Sequence, residues 1–163
     1  MLKPQLLREA ISAANAYLRM NPDSLAIWVN EGKIVSTGQK SLSHEYRYQT
    51  NLLVMDYPHS VDTVVLPVQL WIREHQPDLH FNPDLRETGV KFKVDILGNG
   101  TADLLITLQL TEAAIVTKKD GELIVTHRTE PPHDPYADVS EWTLASAGEM
   151  VKDWIRQQLG GKS

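Results

Sequence analysis

The chain of 163 residues contains no cysteine. This absence excludes disulfide bonds, a thiolate nucleophile and zinc sites built on cysteine ligands. No apolar run approaches the roughly 18 residues that span a bilayer, and the opening sequence MLKPQLLREA lacks the basic-then-apolar order of a secretion signal. We therefore expect a soluble protein that is made and kept inside a cell.

An excess of positive charge is also missing. There are 16 Lys and Arg against 21 Asp and Glu, which gives a formal net charge of −5. Such a balance provides no general attraction to a phosphate backbone or to an anionic membrane. The sequence EYRY at residues 45–48 could stack bases, but tyrosines at alternate strand positions commonly pack one face of a sheet. We predict no sequence-specific nucleic-acid partner and no membrane partner.

Motifs of catalysis are absent as well. The sequence has no Gly-x-Ser-x-Gly elbow, no phosphate loop and no Gly-x-Gly-x-x-Gly fingerprint. Six histidines invite a metal hypothesis, but His75 and His80 are five residues apart across Pro77. Zinc proteases instead place two histidines four residues apart on one helix. These observations predict no catalytic residues, no metal site and no cofactor.

A second group of histidine and aspartate residues also invites a catalytic or metal hypothesis. His127, His133 and Asp134 could gather with Asp95 around a reacting group or an ion. They lie, however, on a strand end and on a proline-rich stretch, where scattered polar residues are normal. We therefore do not assign them a chemical role.

Three segments carry apolar residues at helical spacing. The first covers residues 4–20 and should end before Pro22. The second follows a Ser60 N-cap and runs to about residue 76, with Pro67 kinking it or marking where its regular part begins. The third lies in residues 138–159, whose second part is amphipathic and ends at Gly160. Its apolar residues are Trp142, Met150, Val151, Trp154, Ile155 and Leu159.

Alternating and β-prone runs predict strands in two blocks. In the first block, residues 25–29 and 33–37 form a hairpin around NEG at 30–32, and residues 44–57 form a long strand. In the second, strands at 90–97, 101–118 and 122–126 are joined by turns at GNG and KDG. Residues 77–89 form a loop with one short helical turn. The predicted class is α+β: a mostly antiparallel sheet of about six strands in two hairpin or meander blocks, with helices packed on one face.

Residues 130–135, EPPHDP, contain three prolines and cannot continue a central strand. We assign residues 1–129 to an α+β core domain, and residues 130–163 to a proline-rich arm and a C-terminal amphipathic helix of the same domain. In that core, the period of each segment predicts that one sheet face packs against the second helix. The sheet residues are Tyr46, Tyr48 and Leu52, and the helix residues are Val64, Val68 and Trp71.

The strand pattern from residue 101 to residue 117 is too long for the domain. At about 3.3 Å per residue it would reach about 55 Å, whereas a compact chain of this length is about 40 Å across. Either the strand breaks or bulges near Thr111 and Glu112, or its hairpin with residues 122–126 projects and pairs with a neighbour.

Several stretches in one order resemble a known family. They are MLKPQ at residues 1–5, SLSHEYRY at 41–48, WIREHQP at 71–77, VDILGN at 94–99 and DLLITLQLTE at 103–112. Together they resemble the tail completion protein R family of temperate phages with contractile tails, of related prophages and of phage-tail bacteriocins. The likeness spans residues 1 to 117.

The resemblance implies a late structural protein that finishes the tail after the tube and sheath have polymerised. Such proteins are similar in role to tail terminators, which form rings, commonly hexameric, at the head-proximal end of the tube. The implied partners are copies of the chain in a hexameric ring, the tail tube and sheath proteins, and another tail completion or head–tail connector protein. The implied locations are the bacterial cytoplasm during assembly and then the virion tail, and the family has no catalytic residues to carry over.

The long strand and the implied ring together place subunit contacts on the hairpin and the arm. The predicted interface residues are Leu104, Ile106, Leu108, Leu110, Leu123, Val125, Pro131, Pro132 and Pro135.

Two other classes of protein stay open. An enzyme of unrecognised type would need a concave pocket in which polar groups with shifted pKa values converge. A monomeric ligand-binding or immunity-type module with no tail role would show a closed pocket or a single heterologous interface, and no ring.

Overall fold

A computed structural model of the protein describes residues 1–130. Within that range the chain forms an α+β fold with helices at the start and middle and one antiparallel sheet, as predicted. The elements, in chain order, are α1 (Lys3–Ala14), α2 (Ala16–Met20), a short 3-10 helix (Pro22–Ser24), β1 (Leu25–Ser36), β2 (His44–Tyr57), α3 (Asp62–His75), α4 (Asp78–Phe81), α5 (Pro83–Arg86), β3 (Val90–Ile96), β4 (Ala102–Lys119) and β5 (Glu122–His127).

The sheet is arranged around β4. The strand order is β1-β2-β4-β3, and β5 pairs with β4 outside this path. On one edge, β4 pairs with β2 from Leu104 to Ala114 without a shift in register. On its other edge, β3 pairs with residues 102–108 and β5 with residues 114–119. One edge of β4 therefore has two successive partners, separated by a gap at residues 109–113.

The predicted hairpin at residues 30–32 is wrong. β1 is one strand that pairs with β2 from His44 to Val54, with a register irregularity between Val29 and Gly32. A Cβ atom at position 32 would lie only 3.1 Å from the Cβ of Tyr48, so Gly32 allows a close approach of two strands inside a bulge. The described residues consequently contain five strands, one fewer than the approximate number predicted.

The first predicted helix is divided at Asn15. This residue has an extended backbone, and its side-chain oxygen accepts a hydrogen bond from the N–H of Leu18 at 3.1 Å, which caps α2. Its amide nitrogen donates to the hydroxyl of Tyr57 at 2.7 Å. The connection at residues 77–89 holds two short helices, α4 and α5, where one helical turn was predicted. Among residues 1–130, no helix has both the length and the apolar character to cross a membrane.

The core lies between one face of the sheet and helices α1 and α3. Tyr48 and Leu52 of β2 belong to the same buried cluster as Trp71 of α3, and Tyr46 packs against its margin. The predicted packing of these strand and helix positions is therefore confirmed. The alternate residues of β4 complete the cluster: Leu104, Ile106, Leu108 and Leu110.

Replacement of Trp71 by alanine tests this packing. Because the Trp71 side chain is fully buried, Trp71→Ala should lower the free energy of unfolding by about 3–5 kcal/mol. Urea denaturation followed by circular dichroism measures the change. Trp28→Ala is the matched control, since Trp28 is 39% exposed and should cost clearly less. Equal denaturation midpoints for Trp71→Ala and the parent would show that Trp71 is not a core residue.

Candidate functional site

The outer half of β4 carries the hairpin with β5 beyond the core. Side chains facing the helices are buried up to Ala114, and the following residues are increasingly exposed. β4 does not break near Thr111, because its ladder with β2 continues in register through that position. A break is therefore excluded and the hairpin is exposed, while its pairing with a neighbour stays a prediction. We call residues 114–127 the β4–β5 hairpin.

The β4–β5 hairpin exposes apolar side chains on both faces. Leu123 and Val125, which are 60% and 54% exposed, lie on the same face as the buried Ala114. Ile115 and Ile124 lie on the opposite face and are also exposed. A solvent-facing strand normally alternates apolar with polar residues, whereas apolar residues on both faces are typical of a covered strand. The hairpin therefore has the surface of an element that another body covers.

The tip of the hairpin is built as a tight turn. Asp120 and Gly121 have φ angles of 52° and 86°, and consecutive positive φ values are those of a type I′ turn. This turn matches the twist of the two strands that it joins. The hairpin is therefore a regular two-stranded ribbon, as its KDG sequence predicted.

A buried carboxylate lies at the base of the hairpin. Glu112 is 3% exposed, and its oxygens accept hydrogen bonds from the backbone N–H groups of Leu2 and Lys3, each at 2.9 Å. The hydroxyl of Tyr48 donates to the same carboxylate. The first N–H groups of a helix have no acceptor within the helix, so Glu112 caps α1 from across the fold.

Lys3 extends this group toward α3 and the segment after β5. Its Nζ atom donates to Oε1 of Gln76 at 2.8 Å and to Oε1 of Glu130 at 3.0 Å, and the Lys3 side chain is nearly buried. Nδ1 of His127, the last residue of β5, lies 3.1 Å from Oε2 of Glu112. We call these residues the Glu112 cluster: Lys3, Tyr48, Gln76, Glu112, His127 and Glu130.

Gln76 fills the gap in the edge of β4. Its Oε1 accepts from the N–H of Thr111 at 3.0 Å, and its Nε2 donates to Oγ1 of Thr111 at 3.0 Å and to Oδ1 of Asp78 at 2.7 Å. On either side of Thr111, the N–H of Gln109 donates to the carbonyl of Gly89, and the N–H of Arg128 donates to the carbonyl of Ala113. The side chain of Gln76 thus takes the place of a strand between β3 and β5.

The hydrogen bonds decide the charge state of the cluster. Burial by itself raises the pKa of Glu112, but the bonds from Tyr48, Leu2 and Lys3 and the positive amino terminus outweigh burial and hold this pKa below its ordinary value. Burial, together with the hydrogen bond to Glu112 and the negative charge there, raises the pKa of Tyr48. At neutral pH the cluster therefore holds an ionised Glu112 and a neutral Tyr48.

The structure separates the predicted interface residues into three groups. Leu104, Ile106, Leu108 and Leu110 fill the core of the chain itself, so their side chains are not available to a partner. Leu123 and Val125 are exposed on the β4–β5 hairpin, where they remain the predicted contact residues. The three prolines of the arm, Pro131, Pro132 and Pro135, lie outside the described residues.

His75 and His80 lie in separate surroundings. The ring of His75 lies 4.9 Å from that of Trp71. Burial lowers the pKa of His75. The negative charge of Glu74 opposes this shift, and the positive charge of Lys3 adds to it. His80 bonds to Gln69 at 2.6 Å, and burial followed by the charge of Arg73 lowers its pKa. Within residues 1–130, no three His, Asp or Glu side chains are grouped so that they could hold a metal ion.

The structure also separates the second histidine group. The β4 partner of His127 is Ala114 and that of Asp95 is Asp103, so the two residues lie roughly 35 Å apart along the strand. His127 and Asp95 therefore cannot act together. His133 and Asp134 are outside the described residues.

Sequence reasoning missed the Glu112 cluster. One signal was present, since Glu112 continues the core-facing series of alternate leucine and isoleucine residues in β4. A carboxylate at such a position requires buried partners. The identity of those partners could not be read locally, because they lie between 15 and 110 residues away along the chain.

Comparisons with known proteins concern nearly the whole chain. A family model described as "P2 phage tail completion protein R (GpR)" matches residues 1–131. The tail completion protein R of Escherichia phage P2 is 40% identical over 154 residues, which cover 94% of this chain and 99% of that protein. No solved structure matches the chain.

Replacement of Glu112 tests the cluster through its pH dependence. Glu112→Gln should lower the free energy of unfolding at pH 7 by about 1–3 kcal/mol, because charged hydrogen bonds in a buried site are lost. The folded-state pKa of Glu112 lies below the ordinary 4.5, so its stabilisation is full above that value and is lost as the pH falls through the folded-state pKa. The difference between parent and variant should therefore shrink below pH 4.5.

The matched control is Glu45→Gln on the neighbouring strand. Glu45 is partly exposed and forms a surface salt bridge with Arg47, so its loss should change stability by less than about 0.5 kcal/mol. Urea denaturation of the parent and both variants, measured at intervals of about one pH unit between pH 3 and pH 7, gives the effect. A Glu112→Gln penalty that is unchanged across this range contradicts an ionised, hydrogen-bonded Glu112.

Proposed function

The chain belongs to the phage tail completion protein R family and acts in phage tail completion, and we propose that it does so as a ring at the head-proximal end of the tail tube. The observation that carries the proposal is the β4–β5 hairpin, which extends beyond the core with apolar residues on both faces. A monomer gains nothing from exposing such a strand, whereas a neighbouring subunit that covers it would bury this surface.

A ring needs two different surfaces that meet repeatedly around an axis. Within residues 1–130, β1 and β5 each pair with one neighbour and leave their other edge unpaired, on opposite sides of the sheet. Strand edges supply backbone donors and acceptors for a partner strand. The hairpin of one copy and a different surface of the next therefore suit a heterologous contact. We propose six copies per ring, the number common among tail terminators.

The proposed role is structural and includes no catalytic reaction. The ring would contact the tail tube and sheath proteins on one side and another tail completion or head–tail connector protein on the other. It would be assembled in the bacterial cytoplasm and kept in the virion tail. Residues 130–163 would belong to the same domain as residues 1–129, and the salt bridge between Lys3 and Glu130 supports this for the start of that segment.

Charged substitutions on the exposed face of β5 test the proposed contact between subunits. The double variant Leu123→Asp and Val125→Asp should fold, because both side chains lie outside the core, but it should not complete tails. Its amount per purified tail should fall at least about tenfold, which corresponds to a loss of 1.4 kcal/mol in binding. The measurement is quantitative immunoblotting of tails made in a host whose own copy of the gene is disrupted.

The matched control is Lys93→Asp. Lys93 is exposed on the charged side of β3 and lies outside the hairpin, so the control adds charge to another edge strand without altering the proposed contact. Circular dichroism verifies the fold of all variants. Normal incorporation of the Leu123 and Val125 double variant excludes this face of the hairpin from the contact.

A reconstruction of completed tails tests the ring itself. We expect six copies at the head-proximal end, with residues 101–126 of each copy contacting the next. Absence of the protein from that end would overturn the proposed location. Its presence as a single copy would favour a monomeric module, and a ring in which residues 101–126 contact no neighbour would overturn the proposed interface.

A further inference from the structure

β3 presents an apolar face that residues 1–130 do not cover. Its register places Phe92 opposite Ile106 and Val94 opposite Leu104, so these side chains point to the helix-covered side of the sheet. Phe92 and Ile96 are nevertheless 71% and 83% exposed. The alternate residues on the other side of the strand are charged: Lys91, Lys93 and Asp95. β3 therefore has the sequence of a strand with one buried face, yet beyond Val90 that face is exposed.

A groove lies between this face and α3. Its volume is about 540 Å³. Apolar residues of α3, α4, β3 and β4 line it, among them Val65, Leu79, Val90, Phe92 and Ile106. In the described part of the chain, α4 and α5 border the groove through Leu79, His80 and Arg86, but Phe92 and Ile96 of β3 stay exposed. In a two-layer fold the helix layer covers the apolar face of the sheet, so this groove is where a further helix would fit.

We propose that residues 149–159 of the same chain dock in this groove as an amphipathic helix. Met150, Val151, Trp154, Ile155 and Leu159 follow helical spacing, and Gly160 and Gly161 form a stop signal directly after them. The intervening residues Glu149, Lys152, Asp153 and Arg156 fall on the opposite side of such a helix. The segment thus has an apolar stripe that needs a partner, and the groove is an apolar surface that needs a cover.

The connection to this segment is long enough. Met150 lies 20 positions after Glu130. Extended, this connection reaches up to about 70 Å, which exceeds the diameter of about 40 Å for a compact domain of this length. A tether of this length holds the segment at an effective concentration on the order of millimolar. Docking within one chain is therefore favoured over capture of a free protein, and it does not depend on the proposed role in the tail.

Cysteine cross-linking tests the docking directly, because the natural chain contains no cysteine. Full-length protein with Phe92→Cys and Val151→Cys should react with a short bifunctional maleimide to give a link within one chain. Peptide mapping by mass spectrometry identifies the linked residues, and the product should migrate as a monomer on a denaturing gel. The matched control combines Lys93→Cys with Val151→Cys, since Lys93 is the next residue of β3 but points to the other face.

The outcomes are distinct. Efficient linkage at position 92 with little at position 93 supports the proposal. Linkage that produces dimers would place the segment of one copy in the groove of another, and it would overturn docking within the chain. Equal linkage at both positions, or none at either, would overturn the groove as the docking site.

Limited proteolysis provides a second measurement in which no cysteine is introduced. Trypsin cleaves after Lys152 and Arg156, and a docked segment is protected from cleavage until it detaches. The double variant Phe92→Glu and Ile96→Glu should therefore be cut there at least about tenfold faster than Lys93→Glu, which adds a similar charge to the opposite face. Equal cleavage rates in these two variants contradict the docking.

Discussion

The buried carboxylate of Glu112 is the constraint on which the arrangement of the chain depends. A carboxylate at a core-facing position is unfavourable unless hydrogen bonds and opposite charge surround it. Here the hydrogen bonds come from the start of α1 and from Tyr48 of β2, and His127 of β5 lies beside the carboxylate. Because these groups lie far apart in the sequence, the cluster can form only when the helix layer and the sheet are in place together.

The Glu112 cluster also lies at the boundary between a core-facing part and an exposed part of β4. Residues before it face the core and contribute to stability, and residues after Ala114 form an exposed ribbon that contributes nothing to that core. Lys3, Gln76 and Glu130 attach the base of the ribbon to two helices, so its direction is set before any partner arrives. A surface held in its bound orientation loses less conformational entropy on association. In the proposed ring, β4 thus contributes to stability before Glu112 and to the subunit contact after Ala114.

Much of this fold follows from short-range sequence patterns. Where the structure differs from the prediction, the difference depends on contacts between residues that are far apart in the sequence. The alternation of β2 and β4 and the helical spacing of α3 each predicted an element and its buried face. Gly32 was misread as a turn residue because a glycine that admits a neighbouring strand has the same local sequence signal. The break at Asn15 depends on a hydrogen bond to Tyr57, 42 residues away.

The interface prediction was limited in the same way, because a local sequence pattern does not identify what covers a strand. Alternating leucines from residue 104 to residue 110 indicate a strand with one covered face, but the pattern does not say whether the cover is the chain's own helices or a partner. In the structure it is α1 and α3. The sharper signal was the loss of alternation in β5, where Leu123, Ile124 and Val125 are consecutive and apolar.

Two uncovered apolar surfaces thus lie on the helix side of the sheet, and one segment cannot cover both. The groove beside β3 lies at the level of Leu104, and the exposed pair on β5 begins at the level of Val116, where Val125 pairs. Twelve residues of strand separate these levels by up to about 40 Å. A helix of eleven residues is only about 16 Å long. If residues 149–159 fill the groove, the hairpin stays exposed in the single chain, and its apolar faces are left for another copy to cover.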